Sequence, residues 1–105
     1  MSKGNAFETQ LLDKIFTAAS IPWDGNTQLY VALHTADPTE SGVQTSSEIS
    51  YTGYARVAVA RSGAGWTVSG NAATNAAAIT FPQCAGGSGT ATHFSVGTRI
   101  TGAGE

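Results

Sequence analysis

Apolar side chains recur at Phe7, Leu11, Leu12, Ile15, Phe16 and Ala19, the i, i+3, i+4 spacing that lines one stripe of a helix. Asn5 and, three residues on, Glu8 form a capping-box pattern at its start. Ser20-Ile21-Pro22 ends the run, because a residue before proline is pushed out of the helical region. The spacing predicts an amphipathic helix over about 5–19, with one apolar face that something must cover. From Trp23 the period changes to two. Leu29, Val31 and Leu33 alternate with Tyr30, Ala32 and His34, which is the pattern of a strand with one buried face. A second strand is predicted over 54–61, where Ala55, Val57 and Val59 face one way and Tyr54, Arg56 and Ala58 the other. Ser62-Gly63-Ala64-Gly65 then predicts a hairpin into Trp66-Thr67-Val68, and Gly70-Asn71 marks a further turn.

The alanine-rich run 72–82 suits a helix by propensity. Ile79 and Phe81 alternate with Ala78 and Thr80 ahead of Pro82, so at least 77–81 reads as strand. A last strand over 90–98 sets Thr92, Phe94 and Val96 opposite Ala91, His93 and Ser95. Between the first two strands lies a polar loop, 35–53, with turn signals at Asp37-Pro38 and Ser41-Gly42. Loops of this length in small domains tend to be functional. The closing Thr101-Gly102-Ala103-Gly104-Glu105 has turn composition and no strand after it. The expectation is an open sheet edge, left by a shortened chain or completed by a strand from another chain. One helix followed by about five short strands predicts a mainly β fold: an antiparallel β-sandwich or partial barrel, jelly-roll-like, with one N-terminal amphipathic helix. It is read as a single domain over 1–105, helix about 5–19 and sandwich about 27–105.

Composition narrows the function. Of 105 residues, 11% are charged and 13 are glycine, with net charge −2. Lys3, Lys14, Arg56, Arg61 and Arg99 are too few for the basic patch that a nucleic-acid partner requires. No apolar run approaches the roughly 18–20 residues that span a bilayer, and the N-terminal segment is interrupted by Glu8, Gln10 and Asp13, unlike a secretory signal. A single cysteine, Cys84, excludes an intramolecular disulfide and suits synthesis in a reducing cytoplasm. A Ser/Thr/Gly-rich surface of low charge imposes little repulsion on close protein contacts, which suits a subunit packed against copies of itself.

Candidate chemistry is thin. His34 and His93 read as strand histidines at outward positions, too few for a metal site. Cys84, between Gln83 and Ala85, lacks a neighbour that would activate its thiol. Asp13, Asp24, Glu40 and Glu48 are scattered and read as solvated carboxylates rather than a paired acid and base. The cluster Gly86-Gly87-Ser88-Gly89 lacks the lysine of a phosphate loop. The sequence thus predicts no catalytic residue, no metal and no cofactor. For binding, Trp23 and Tyr51 are candidate ligand-facing aromatics, and Trp66 is read as core. For self-association the candidates are Phe7, Leu11 and Ile15 on the helix stripe, with Phe94 and Val96 on the last strand.

Four segments, taken in order, carry a resemblance: 2–9 (SKGNAFET), 29–38 (LYVALHTADP), 51–59 (YTGYARVAV) and 92–97 (THFSVG). Together they resemble a family of small virion structural proteins of tailed bacteriophages, of head-decoration or tail-fibre-like type. The resemblance implies a virion protein made in the host cytoplasm, non-enzymatic, whose partners are other virion proteins, major capsid or tail, and further copies of itself. It also implies one more strand after the Gly-Ala-Gly turn. Two roles follow as expectations. The first is a capsid decoration or cement protein bracing the head lattice. The alternative is a tail or fibre component binding a host-surface glycan or protein through Trp23, Tyr51 and the polar loop.

Overall fold

A computed structural model describes residues 3–104. Met1, together with Ser2 of the opening motif and Glu105 of the closing turn, lies outside the described residues. The element order is α1 (Asn5–Thr17), β1 (Gln28–His34), β2 (Val57–Ala60), β3 (Trp66–Ser69), β4 (Ala72–Asn75) and β5 (His93–Gly97). The fold is mainly β with one helix, as the patterning predicts, and every strand pair is antiparallel. The strands form two separate pieces, a three-stranded sheet in the order β2-β1-β5 and a two-stranded ribbon β3-β4. Neither is a closed barrel.

The helix starts differently from its capping-box reading. Gly4, extended at φ −70° and ψ 153°, is the N-cap, and no side chain caps the end. Asn5 is already helical, and its N–H donates to the Glu40 carbonyl at 2.9 Å instead. A Cβ at Gly42 would meet Gly4 Cα at 2.7 Å, so backbone runs against backbone where the loop crosses the helix start. The loop thereby supplies the acceptor that a cap would otherwise provide. At the other end Ala18 adopts the left-handed region, φ 56°, and stops the helix before the Ser-Ile-Pro signal.

Register puts Leu29, Val31, Leu33, Val57, Val59, Phe94 and Val96 on one face of the main sheet, and Tyr30, Ala32, His34, Ala58, Ser95 and Gly97 on the other. The second face is covered by the long loop. Gln44, 1% exposed, donates from its Nε2 to the Tyr30 carbonyl and accepts the Arg99 N–H on its Oε1. A Cβ at Gly97 or at Gly104 would run into the Gln44 side chain, so a larger residue at either would displace Gln44. Ile49 completes this side, its N–H donating to the Leu33 carbonyl. Among the described residues, only Val31, Ala32 and Ile49 are buried apolar side chains.

Three expectations are corrected. The Ser62–Gly65 turn does not pair 66–68 with the preceding strand. Trp66–Ser69 pairs with Ala72–Asn75, and Gly70, at φ 59°, leads a two-residue turn of the kind that matches strand twist. The segment 77–81 is irregular, the strand lying five residues earlier. The second strand is confined to Val57–Ala60, because Tyr54 and Arg56 leave the ladder to bond the loop.

Candidate functional site

His34 and Arg56 are both buried, where strand phase predicts outward positions. Both faces of β1 are covered at its end, so alternation there no longer separates core from solvent. His34 Nδ1 lies 2.7 Å from the Ser46 carbonyl, an acceptor only, so this nitrogen carries the proton and Nε2 faces the Ser95 hydroxyl at 2.7 Å. The ring joins β1, β5 and the long loop. A histidine and a serine in contact are also the start of a hydrolytic pair. Here the imidazole is fully buried, out of reach of any substrate, so the contact acts as a clamp.

Beside it, Glu48 takes Arg56 Nε and Nη2 at 2.7 Å each, and the Tyr54 hydroxyl at 2.8 Å. Arg56 Nη1 continues to the Arg99 carbonyl at 3.0 Å. Burial pushes the Glu48 carboxyl up, but the hydrogen bonds from Arg56 and Tyr54 outweigh it and hold it below its ordinary value. Tyr54 is pushed up to about 12 by burial, and the hydrogen bond to Glu48 and its negative charge add to that. Glu48 is therefore a half-buried partner of the buried Arg56 rather than a solvated loop carboxylate. These groups hold the fold, and of the His34 clamp only Ser95 also lines the main cleft.

The open surface lies on the apolar side. Between the start of α1, the 37–42 loop and β5 is a cleft of about 380 Å³. Phe7, Trp23, Leu29, Phe94 and Val96 line it, with Lys3, Asp37, Thr39, Ser41 and His93 among its other lining residues. Trp23 ties the helix to this cleft. Its Nε1 donates to Gln10 Oε1 at 2.7 Å, Phe7 stacks on it at 5.9 Å between centroids, and the Arg61 guanidinium sits 5.2 Å from the ring centroid. Arg61 in turn pairs with Asp24 at 2.8 Å and holds that carboxyl below its ordinary range. Beyond Gln10 the helix leaves this support. Leu11, Leu12, Ile15 and Phe16 are 38%, 56%, 62% and 79% exposed.

Of the sequence-predicted contact residues, the structure brings Phe7, Phe94 and Val96 together around the cleft, with Trp23. Leu11 and Ile15 stand apart on the free face of the helix, joined there by Leu12 and Phe16, which belong to the same stripe. Tyr51 is elsewhere, its hydroxyl donating to the Pro82 carbonyl and its ring edge-on to Tyr54. Cys84 and His93 are exposed. Among the described residues no three His, Cys, Asp or Glu side chains gather to hold a metal ion, and no helix is long and apolar enough to cross a membrane.

A family model described as podophage GP4 fiber I protein gp80 matches residues 2–104. The chain belongs to this family. It is accordingly a small structural protein of a phage virion, made in the cytoplasm of the bacterial host, as the resemblance of the four segments implies. No curated protein and no solved structure matches the chain. For a podophage fibre-family protein the exposed helix face and the apolar cleft are the surfaces of interest, since a virion structural protein associates with other virion components.

Proposed function

We propose that this protein is a non-enzymatic subunit of a phage tail fibre or comparable appendage, folded as one unit and working as a homo-oligomer in contact with other tail proteins. Phe7, Leu11, Ile15, Phe94 and Val96 contribute to its contacts, and Leu12 and Phe16 extend the helix part of them. The observation that carries this reading is the exposure of four large apolar side chains along α1 in a chain with only three buried apolar side chains among its described residues. Burying such a side chain stabilises by about 1.5–3 kcal/mol, so a partner surface over the helix is strongly favoured. The family description names a fibre, which favours the appendage over a head-decoration role. Host-glycan binding through Trp23 and Tyr51 has less support, because the ring of the first and the hydroxyl of the second are already engaged within the chain.

Gold labelling of an epitope-tagged chain on purified particles, with quantitative mass spectrometry of the same particles, tests this. The expected result is label confined to the tail region and a copy number matching the appendages. Label spread over the head, at a copy number set by the capsid lattice, overturns it.

A further inference from the structure

The helix face and the cleft account for one end of the molecule. A second unpartnered region is the β3-β4 hairpin. Every residue from 67 to 78 is exposed, and β4 has no residue that is even half-buried. The main sheet packs within itself and the hairpin packs within itself, with no extensive contact between the two. What holds the hairpin to the chain is its root. There Trp66 N–H donates to the Ser62 carbonyl and Ala76 N–H to that of Gly65, while a Cβ at Gly65 would strike the Ala60 carbonyl. Even this root is imperfect, because the Trp66 Nε1–H is buried without a hydrogen-bond acceptor. A two-stranded ribbon is marginal in water on its own and gains stability from a third strand or a packed face.

We propose that this hairpin is an assembly arm that seats against a second copy of the chain and there extends the ribbon beyond two strands. The inference rests on the homo-oligomeric reading above and names a surface for it. Area is the first argument. The chain exposes 6601 Å², whereas a compact monomer of its mass exposes about 5,500 Å². The excess of about 1,100 Å², shared between the exposed helix face and the arm, exceeds the ~800 Å² that each partner contributes to a standard interface, so the chain as a whole has surface enough for a second copy. Charge is the second. No Lys, Arg, Asp or Glu occurs between Arg61 and Arg99, so identical arms meet without repulsion and nothing on the arm selects a partner of opposite charge. Geometry is the third. Both outer edges of the ribbon are unpaired among the described strands, and Val68 is 75% exposed opposite the small Ala73, with Ser69 and Ala72 on the other face, a ribbon that another backbone can approach closely.

Light scattering coupled to size-exclusion chromatography of the full chain tests this, with two charged variants compared against the parent. The arm variant is Val68→Lys with Ala73→Lys, and the helix variant is Leu12→Lys with Phe16→Lys. The parent is expected to be oligomeric and the arm variant to fall to a smaller species with an unchanged circular-dichroism spectrum. If the parent is oligomeric and only the helix variant dissociates, the arm proposal is overturned while the homo-oligomeric reading stands; a monomeric parent overturns both. Hydrogen exchange of the unmodified chain gives an independent reading should the arm variant fail to fold. Amides of 66–75 are expected to exchange at least about ten-fold more slowly than an unstructured peptide. Exchange there at the rate of an unstructured peptide overturns the proposal.

Discussion

At the scale of single residues, the Glu48–Arg56 pair is where this small fold is most exposed to damage. Their side chains are only 16% and 3% accessible, and the contact is bidentate. Removing one partner of such a pair leaves an uncompensated buried charge. Glu48→Gln is therefore expected to lower the free energy of unfolding by about 3 kcal/mol in urea titrations at neutral pH. The same pair fixes the acid response. Glu48 is held below its unfolded value of about 4.3, so its contribution is fully present above that pH and is lost as pH falls through the lower folded value. Unfolding measured from pH 6 to pH 3 should show this loss in the parent and a flatter acid limb in Glu48→Gln. Gly97 carries a different constraint, since a Cβ there collides with the Gln44 side chain. Gly97→Ala is expected to cost about 2 kcal/mol. Gly25→Ala, where a Cβ meets nothing within 4 Å, is the control and should change stability by less than about 0.5 kcal/mol. Neither Gln44 nor the Glu48–Arg56 pair was legible in the sequence. They lie in, or pair with, a loop without periodicity, and alternation assigns a face to a strand residue without saying whether a loop returns to cover it.

Elements that carry their own periodic signal were readable. The helix stripe from Phe7 to Phe16 and the alternation from Leu29 to His34 each give the element observed, within two residues at either end of the helix and within one in the strand. The hairpin was not readable. Ser62–Gly65 and Gly70-Asn71 are both good turns, and only the tighter one, with Gly70 in the left-handed region, closes a ladder. Alternation at Ile79 and Phe81 arises for another reason. Phe81 lies parallel to the Tyr54 ring at 6.3 Å, in an irregular segment that packs by side chain and not by ladder. The attachment of α1 was legible only as a need for cover. The structure answers part of that need with Trp23, which holds the first two turns through Phe7 and Gln10. Trp23→Ala is expected to release the helix from the sheet. Amides of Asn5–Thr17 should then exchange at least about ten-fold faster, with β1 unaffected, in a residue-resolved hydrogen-exchange comparison.

The whole molecule is extended for its size, 48 × 28 × 23 Å with a radius of gyration of 14.5 Å against about 13 Å for a compact chain of this length. That shape follows from the two smaller scales. The polar clamps of His34, Gln44 and Glu48 close one face of the main sheet, while the apolar residues of α1, the cleft and the hairpin are left exposed. Low charge imposes little repulsion on contacts between identical neighbours at such surfaces. Coverage of these surfaces in the virion is the expected consequence. A side-chain-resolution cryo-EM map of the intact particle tests it most directly. Leu12, Phe16 and Val68 are expected in contact with neighbouring protein chains within a tail appendage; the same side chains facing solvent in the assembled particle would rule that coverage out.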